Sequence, residues 1–177
     1  MIPAVAQSLA EILAGNASSI ATEQIDFDHP TVDRGIGSRL NLYCYELRPH
    51  EQRQSHQQIP DKTSQKSEAI LWFDLSFLIT AWDATAIGEQ HLLSEALKML
   101  LSHHCLPQEV LPIALRGSTI VPIDISTIDL NQTIALWNAL GVPLRPALYV
   151  TVTIPMPVAT DLPLYVEMSQ LPTVPSN

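Results

Sequence analysis

Glycine is scarce in this chain, at six of 177 residues. That leaves little material for a phosphate-cradling loop, and no Gly-x-Ser-x-Gly turn is present to carry a hydrolase nucleophile. Cysteine is scarcer still. Cys44 and Cys105 cannot make a disulfide framework, and they read as reduced, structural thiols of a cytoplasmic protein. Basic residues number 9 against 18 acidic ones, for a net charge of −9. A nucleic-acid binder draws most of its affinity from neutralising phosphates, so nucleic acid is not an expected partner. No Lys or Arg precedes Arg34, so the charged start of a secretory signal is missing. Polar residues break every long apolar run, Asp74 among them, and no stretch is long enough to span a membrane.

What is present suits one domain with a real core, since 46% of the chain is hydrophobic. The domain is expected over residues 1–156, with a long polar loop at 48–68 and a Pro-rich extended tail over 157–177. Ile2, Val5, Ala6, Leu9, Ile12 and Leu13 predict an opening helix, with Pro3 in its first turn and Gly15-Asn16 as its stop. A short strand is expected within residues 18–27. Residues 40–47 read as a strand, with Leu40, Leu42 and Cys44 on one face and Asn41, Tyr43 and Tyr45 on the other. The strongest strand signal covers residues 69–82. Leu71, Phe73, Leu75, Phe77, Ile79 and Ala81 make one apolar face, opposite a mixed face of Trp72, Asp74, Ser76, Thr80 and Trp82. A helix over 85–104 follows, with Leu93, Ala96, Leu97 and Leu100 as its seam.

Residues 118–125 alternate as a strand that Pro122 confines to a sheet edge. Asp129 and Gln132 then predict a capping box for a helix whose stripe is Ile134, Trp137 and Leu140, stopped by Gly141 and Pro143. Leu148, Val150, Val152 and Ile154 make a last strand face, and residues 164–168 could add a short one. The elements amount to an α/β (α+β) fold.

Little of this is chemical. His91, His103, His104 and Cys105 lie on or beside one helix and point apart, so a zinc site is not expected. Asp26-Phe27-Asp28-His29 could surround a cation, but reads better as a strand end entering a turn before Pro30. An acyl- or phosphoryl-transferring enzyme would need a pocket of perturbed ionisable groups, and none is advertised. No enzyme, cofactor or metal is expected. Tyr43 and Tyr45 share one face, as do Trp72 and Trp82, and aromatics with polar tips suit interfaces. Arg48, Arg53, Lys62 and Lys66 give the long loop a positive charge on an acidic chain, fit to meet an acidic partner surface. These eight are the candidate interface residues.

Several segments, in this order, carry a resemblance. They are the opening Met1-Ile2-Pro3; Leu40-Asn41-Leu42-Tyr43-Cys44-Tyr45-Glu46-Leu47-Arg48-Pro49-His50; and residues 73–83 with Leu78-Ile79-Thr80-Ala81. Leu92-Leu93-Ser94-Glu95-Ala96-Leu97 follows, then residues 130–152 around Leu136-Trp137-Asn138-Ala139-Leu140. Together they resemble the tail-terminator, or cap, proteins of phage-tail-like contractile injection systems. The resemblance implies a mixed, mainly antiparallel sheet carrying about three helices. It implies a ring, typically six-fold, that sits on the end of the inner tube and sheath and stops their polymerisation. The implied partners are other copies of the chain and the tube and sheath proteins, in a cytoplasmic particle later tethered or released. An adaptor or baseplate-type module of the same particle is the alternative. His50 stands where the family tends to have asparagine, and Pro146 interrupts an expected strand.

Overall fold

In the computed structural model the described residues are 1–15, 19–30, 37–50, 68–111, 113, 116, 117 and 119–159. Arg53, Lys62, Lys66, most of the polar loop and the strand expected at 164–168 lie outside them.

The apolar alternation of residues 69–82 becomes β3 (Glu68–Trp82), the strand on which the sheet is built. It pairs antiparallel with β2 (Arg39–Pro49) on one side and with β5 (Ala147–Ala159) on the other. A two-residue β1 (Ile25–Asp26) lies parallel outside β2, and β4 (Ile123–Ile125) lies antiparallel outside β5. The order is β1-β2-β3-β5-β4, a mixed and mainly antiparallel sheet. Among the described residues three α-helices accompany it: α1 (Ile2–Leu13), α2 (Ala86–Ser102) and α3 (Leu130–Leu140).

One face of the sheet carries α1 and α2 and encloses the main core. Leu75, Phe77 and Ile79 of β3 are fully buried there with Val5, Leu9 and Leu13 of α1. Each such side chain removed from water contributes roughly 1.5–3 kcal/mol. The seam of α2 uses Leu93, Ala96 and Leu100 as expected, together with Leu92 and Met99; Leu97 is only half-buried. That helix ends at Ser102 rather than residue 104, where the His103 ring donates from Nδ1 to the Met99 carbonyl at 2.8 Å. This suits an imidazole at the negative end of a helix dipole.

Several expectations are corrected by register. Between Cys44 and Glu46 the β2–β3 pairing shifts by one residue, so Tyr45 is a bulge. Beyond it Leu47 opposes Leu75 on the α1–α2 face, while Glu46 and Arg48 join the mixed face. Leu71 shares the α1–α2 face but is 42% exposed, because the helices do not reach that end of the sheet. Residues 118–125 pair as a strand only at Ile123–Ile125, and the outer edge there is covered by His104–Leu106. The proline-rich stretch begins inside the sheet, since β5 runs through Pro155 and Pro157 to Ala159. Pro146 stands just ahead of β5, not within it.

The start of α2 is fixed by a relay of short polar side chains. Asp83 accepts from the Thr85 amide at 2.9 Å and from its hydroxyl at 3.0 Å, and from the Ser38 hydroxyl. Thr85 in turn accepts from the Gly88 amide at 3.0 Å, satisfying one of the helix's unpaired first-turn donors. The Ser38 bond, then those from Thr85, hold the Asp83 carboxyl below its ordinary range. Its contribution is therefore present above the usual aspartate pKa and is lost as pH falls through the lowered one. A Cβ on Gly88 would run into the Asp83 side chain. Gly88→Ala should lower the urea midpoint in the wild-type background. With Asp83→Ala already present it should raise the midpoint, because alanine then contributes only its better helix propensity.

Candidate functional site

The face opposite α1 and α2 is where the sequence left its purpose open, and it is covered only in part. It presents Tyr43, Tyr45, Glu46 and Arg48 from β2 and Trp72, Asp74, Ser76, Leu78, Thr80 and Trp82 from β3. Tyr149, Thr151 and Thr153 come from β5. Helix α3 lies over this face, started by the expected Asp129–Gln132 capping box and ended by Gly141 in the left-handed conformation at φ 67°. Trp137 is its one buried residue; the indole donates to the Tyr149 hydroxyl at 3.0 Å. Ile134, expected to be buried, is 44% exposed, and Leu140 is half-buried. Helix α3 is thus held by one large anchor, which closes over the fully buried Leu78.

Away from α3 the same face is organised by polar pairs. Asp74 is 8% exposed. Its carboxylate accepts from the Thr153 hydroxyl at 2.8 Å, meets His50 Nδ1 at 2.9 Å, and has Arg48 at 3.7 Å. A buried carboxylate needs such partners to offset its lost hydration. His50, the departure from the family's usual asparagine, is therefore bound where the chain leaves β2. Ser76 donates to Glu46 at 3.3 Å. Between this network and α3 lies a cleft of about 420 Å³, lined by Tyr45, Arg48, Ser76, Thr151, Gln132 and Leu136. Burial pushes the Tyr45 phenol above its ordinary value, with a hydrogen bond to Ser76 pulling the other way.

At the opposite end of the face, Arg145 stacks on Trp82, its guanidinium carbon 3.6 Å from the ring centroid, and pairs with Glu89 at 2.7 Å. An apolar pocket of about 180 Å³ opens beside them, between Trp82, Trp137, Pro143 and Leu144.

The structure therefore separates residues that the sequence grouped. Tyr45 and Arg48 share the polar cleft. Tyr43 stands apart, its ring edge-on to His29 at 5.2 Å. Trp72 and Trp82 share a face but lie ten residues apart on one strand, about 33 Å. Arg53, Lys62 and Lys66 lie outside the described residues. Asn41 was missed: it is 1% exposed and donates to Asp26 and, at 2.7 Å, to the Asp28 carbonyl. Asp26 and Asp28 thus tie the turn after β1 to β2. Among the described residues no group of three or more His, Cys, Asp and Glu converges on a metal-sized space, and no helix is long and apolar enough to cross a membrane.

The β5 edge of the sheet is guarded beyond β4. The Tyr149 carbonyl accepts from the Ser126 amide at 2.8 Å, so Tyr149, Thr153, Pro155 and Pro157 turn their main chains toward the β4 side. Beyond Val152, where β4 pairing stops, the two prolines offer no donor to an added strand.

The family described as the Pvc16 N-terminal domain matches residues 4–164. The chain belongs to that family. Two solved structures share the fold from end to end. The sheath/tube terminator of PVC, an extracellular contractile injection system, in its extended state, superposes with a TM-score of 0.69 at 21% identity. It is matched over 100% of this chain and 65% of its own. The tube-terminating cap of the anti-feeding prophage gives a TM-score of 0.64 at 18% identity, over 98% of this chain and 60% of its own. The chain thus spans less than two thirds of either terminator. No curated protein matches it in sequence.

Asp74→Ala should cost about 1–3 kcal/mol in urea unfolding, because Thr153 and His50 lose their acceptor in a covered site. An unchanged midpoint would mean that the network contributes nothing to the sheet.

Proposed function

We propose that this chain is a structural, non-enzymatic cap of a contractile injection particle. It closes the end of the inner tube and sheath as a ring of six copies. The observation that carries the reading is family membership over most of the chain, joined to a fold that matches part of each of two tube terminators.

A tube of identical subunits is a head-to-tail assembly with no closure along its axis. A terminator must fit the last ring on one side and present no copy of that ring on the other. The two layers of this domain meet that requirement in kind. One carries α1 and α2 over the main core; the other keeps a polar cleft and an apolar pocket open to a partner. A guarded β5 edge suits the same role, since it discourages further strand pairing there. Assembly in the cytoplasm, before tethering or release, fits two free thiols of which Cys105 is exposed. The segment after Ala159 holds the chain to a neighbouring subunit. If it does so by adding a strand, the prolines of β5 exclude that edge as its receiving site.

Added in small amounts to polymerising tube and sheath proteins of its own particle, the chain should shorten the assemblies and narrow their length distribution. An unchanged distribution would sink the cap reading. Truncation after Ala159 should leave the circular dichroism of the monomer intact and weaken incorporation into particles. Normal incorporation would remove the tail from the assembly.

A further inference from the structure

Among the described buried apolar residues, Leu78 and Trp137 alone stand outside the main core. They are the contact by which α3 is held to the sheet. Helix α1 buries six residues and α2 five, whereas α3 buries Trp137 and leaves Leu130 and Ile134 in water. Leu136 and Leu140 are half-buried. The bond from the Trp137 indole to the Tyr149 hydroxyl, at 3.0 Å, is the polar part of the same contact.

Room lies on both sides of that anchor. Gln132 and Leu136 line the polar cleft of about 420 Å³, and Trp137 lines the apolar pocket of about 180 Å³. An element with few buried apolar contacts and voids beside it belongs to the low-stability end of a structure. Nor does α3 need the sheet to satisfy its ends. At the start Asp129 accepts from the Gln132 amide at 2.9 Å, and the Gln132 side chain accepts from the Asp129 amide at 3.3 Å. At the finish the Gly141 amide donates to the Asn138 carbonyl at 3.1 Å. Breaking the Trp137 contact therefore strands no capping group.

The chain on either side of α3 is fastened separately. Before it, Ser126 bonds to the Thr151 hydroxyl at 2.6 Å and to the Tyr149 carbonyl at 2.8 Å. After it, Arg145 stacks on Trp82 and pairs with Glu89. Its Nη1 is buried without a partner, so the docked helix leaves one donor unmatched at that end. Lifting Pro143 and Leu144, which line the pocket with it, would let water reach that donor.

We propose that α3 is a strap, fastened at Ser126 and Arg145, that lifts from the sheet as a unit while the sheet, α1 and α2 stay folded. Lifting joins the cleft and the pocket into one groove floored by Leu78 and Tyr149. A partner that uses this groove binds the lifted state, and one that rests on the docked helix holds the strap down. The strap does not depend on the cap reading, since it follows from the packing of this chain.

Native-state hydrogen exchange of the full chain, read by mass spectrometry, tests it. Amides of residues 134–140 should exchange at least about tenfold faster than those of α2, through an opening that low urea does not promote. Tyr149→Phe removes only the bond to the indole and should speed exchange in α3 about fivefold. Trp137→Ala should bring it close to the rate of an unstructured peptide. In both variants α1, α2 and β3 should keep their protection. Equal protection of α2 and α3, an α3 indifferent to both substitutions, or a Trp137→Ala chain that loses protection throughout would make α3 part of one cooperative unit and overturn the strap.

Discussion

The structure depends on β3 being paired along both edges, packed under α1 and α2 on one face and partly covered by α3 on the other. Its register runs without a break against β5 from Glu68 to Thr80, and against β2 with one bulge. Main-chain pairing on that scale fixes which side chains share a face, because a slip of one residue would exchange the faces. Phe77 and Leu75 then have to meet α1 and α2, while Asp74 and Ser76 have to find polar partners on the other side. The hydrogen bonds of Asp74 with Thr153 and His50 are a consequence of that constraint. A central strand can carry a buried carboxylate such as Asp74 only where the neighbouring strands supply its partners.

The two faces serve different ends. The α1–α2 face holds nearly all of the buried apolar residues and is covered except toward Leu47 and Leu71. The α3 face is attached mainly through Trp137 and keeps a cleft and a pocket beside it. A helix anchored by one large residue, with Leu130 and Ile134 left in water, is a poor way to finish a core but a serviceable way to present a surface. The terminators that share this fold are longer chains, so the domain is the portion common to them and to this protein.

Much of the fold was legible because its signals are local. Period-two alternation in β3 and β5, the Asp129–Gln132 box and Gly141 each act through neighbours in sequence, and each stands where it was read. The bulge at Tyr45 was not legible. It arises from pairing with Ser76 and Phe77, which lie some thirty residues away, and no composition signal marks it. Buried Asn41 escaped for a similar reason, since its partners Asp26 and Asp28 reach it only through the β1–β2 pairing. Ile134 has the spacing of a buried residue, but periodicity reports only the side of a helix, not how far the sheet extends beneath it. Trp72 and Trp82 share a face as alternation required and Arg48 joins Tyr43's face only through the bulge, yet distance along the strands divides them. Tyr45 and Arg48 border the cleft, Trp82 walls the pocket, and Trp72 stands at the other end.

The most direct test of the proposed cap is where the chain sits on a native particle. Particles isolated through a C-terminal tag and imaged by electron microscopy should be sheathed and should carry the tag at one tip only. Tags along the sheath or at both ends, or a tagged chain that brings down no particles, would contradict the cap.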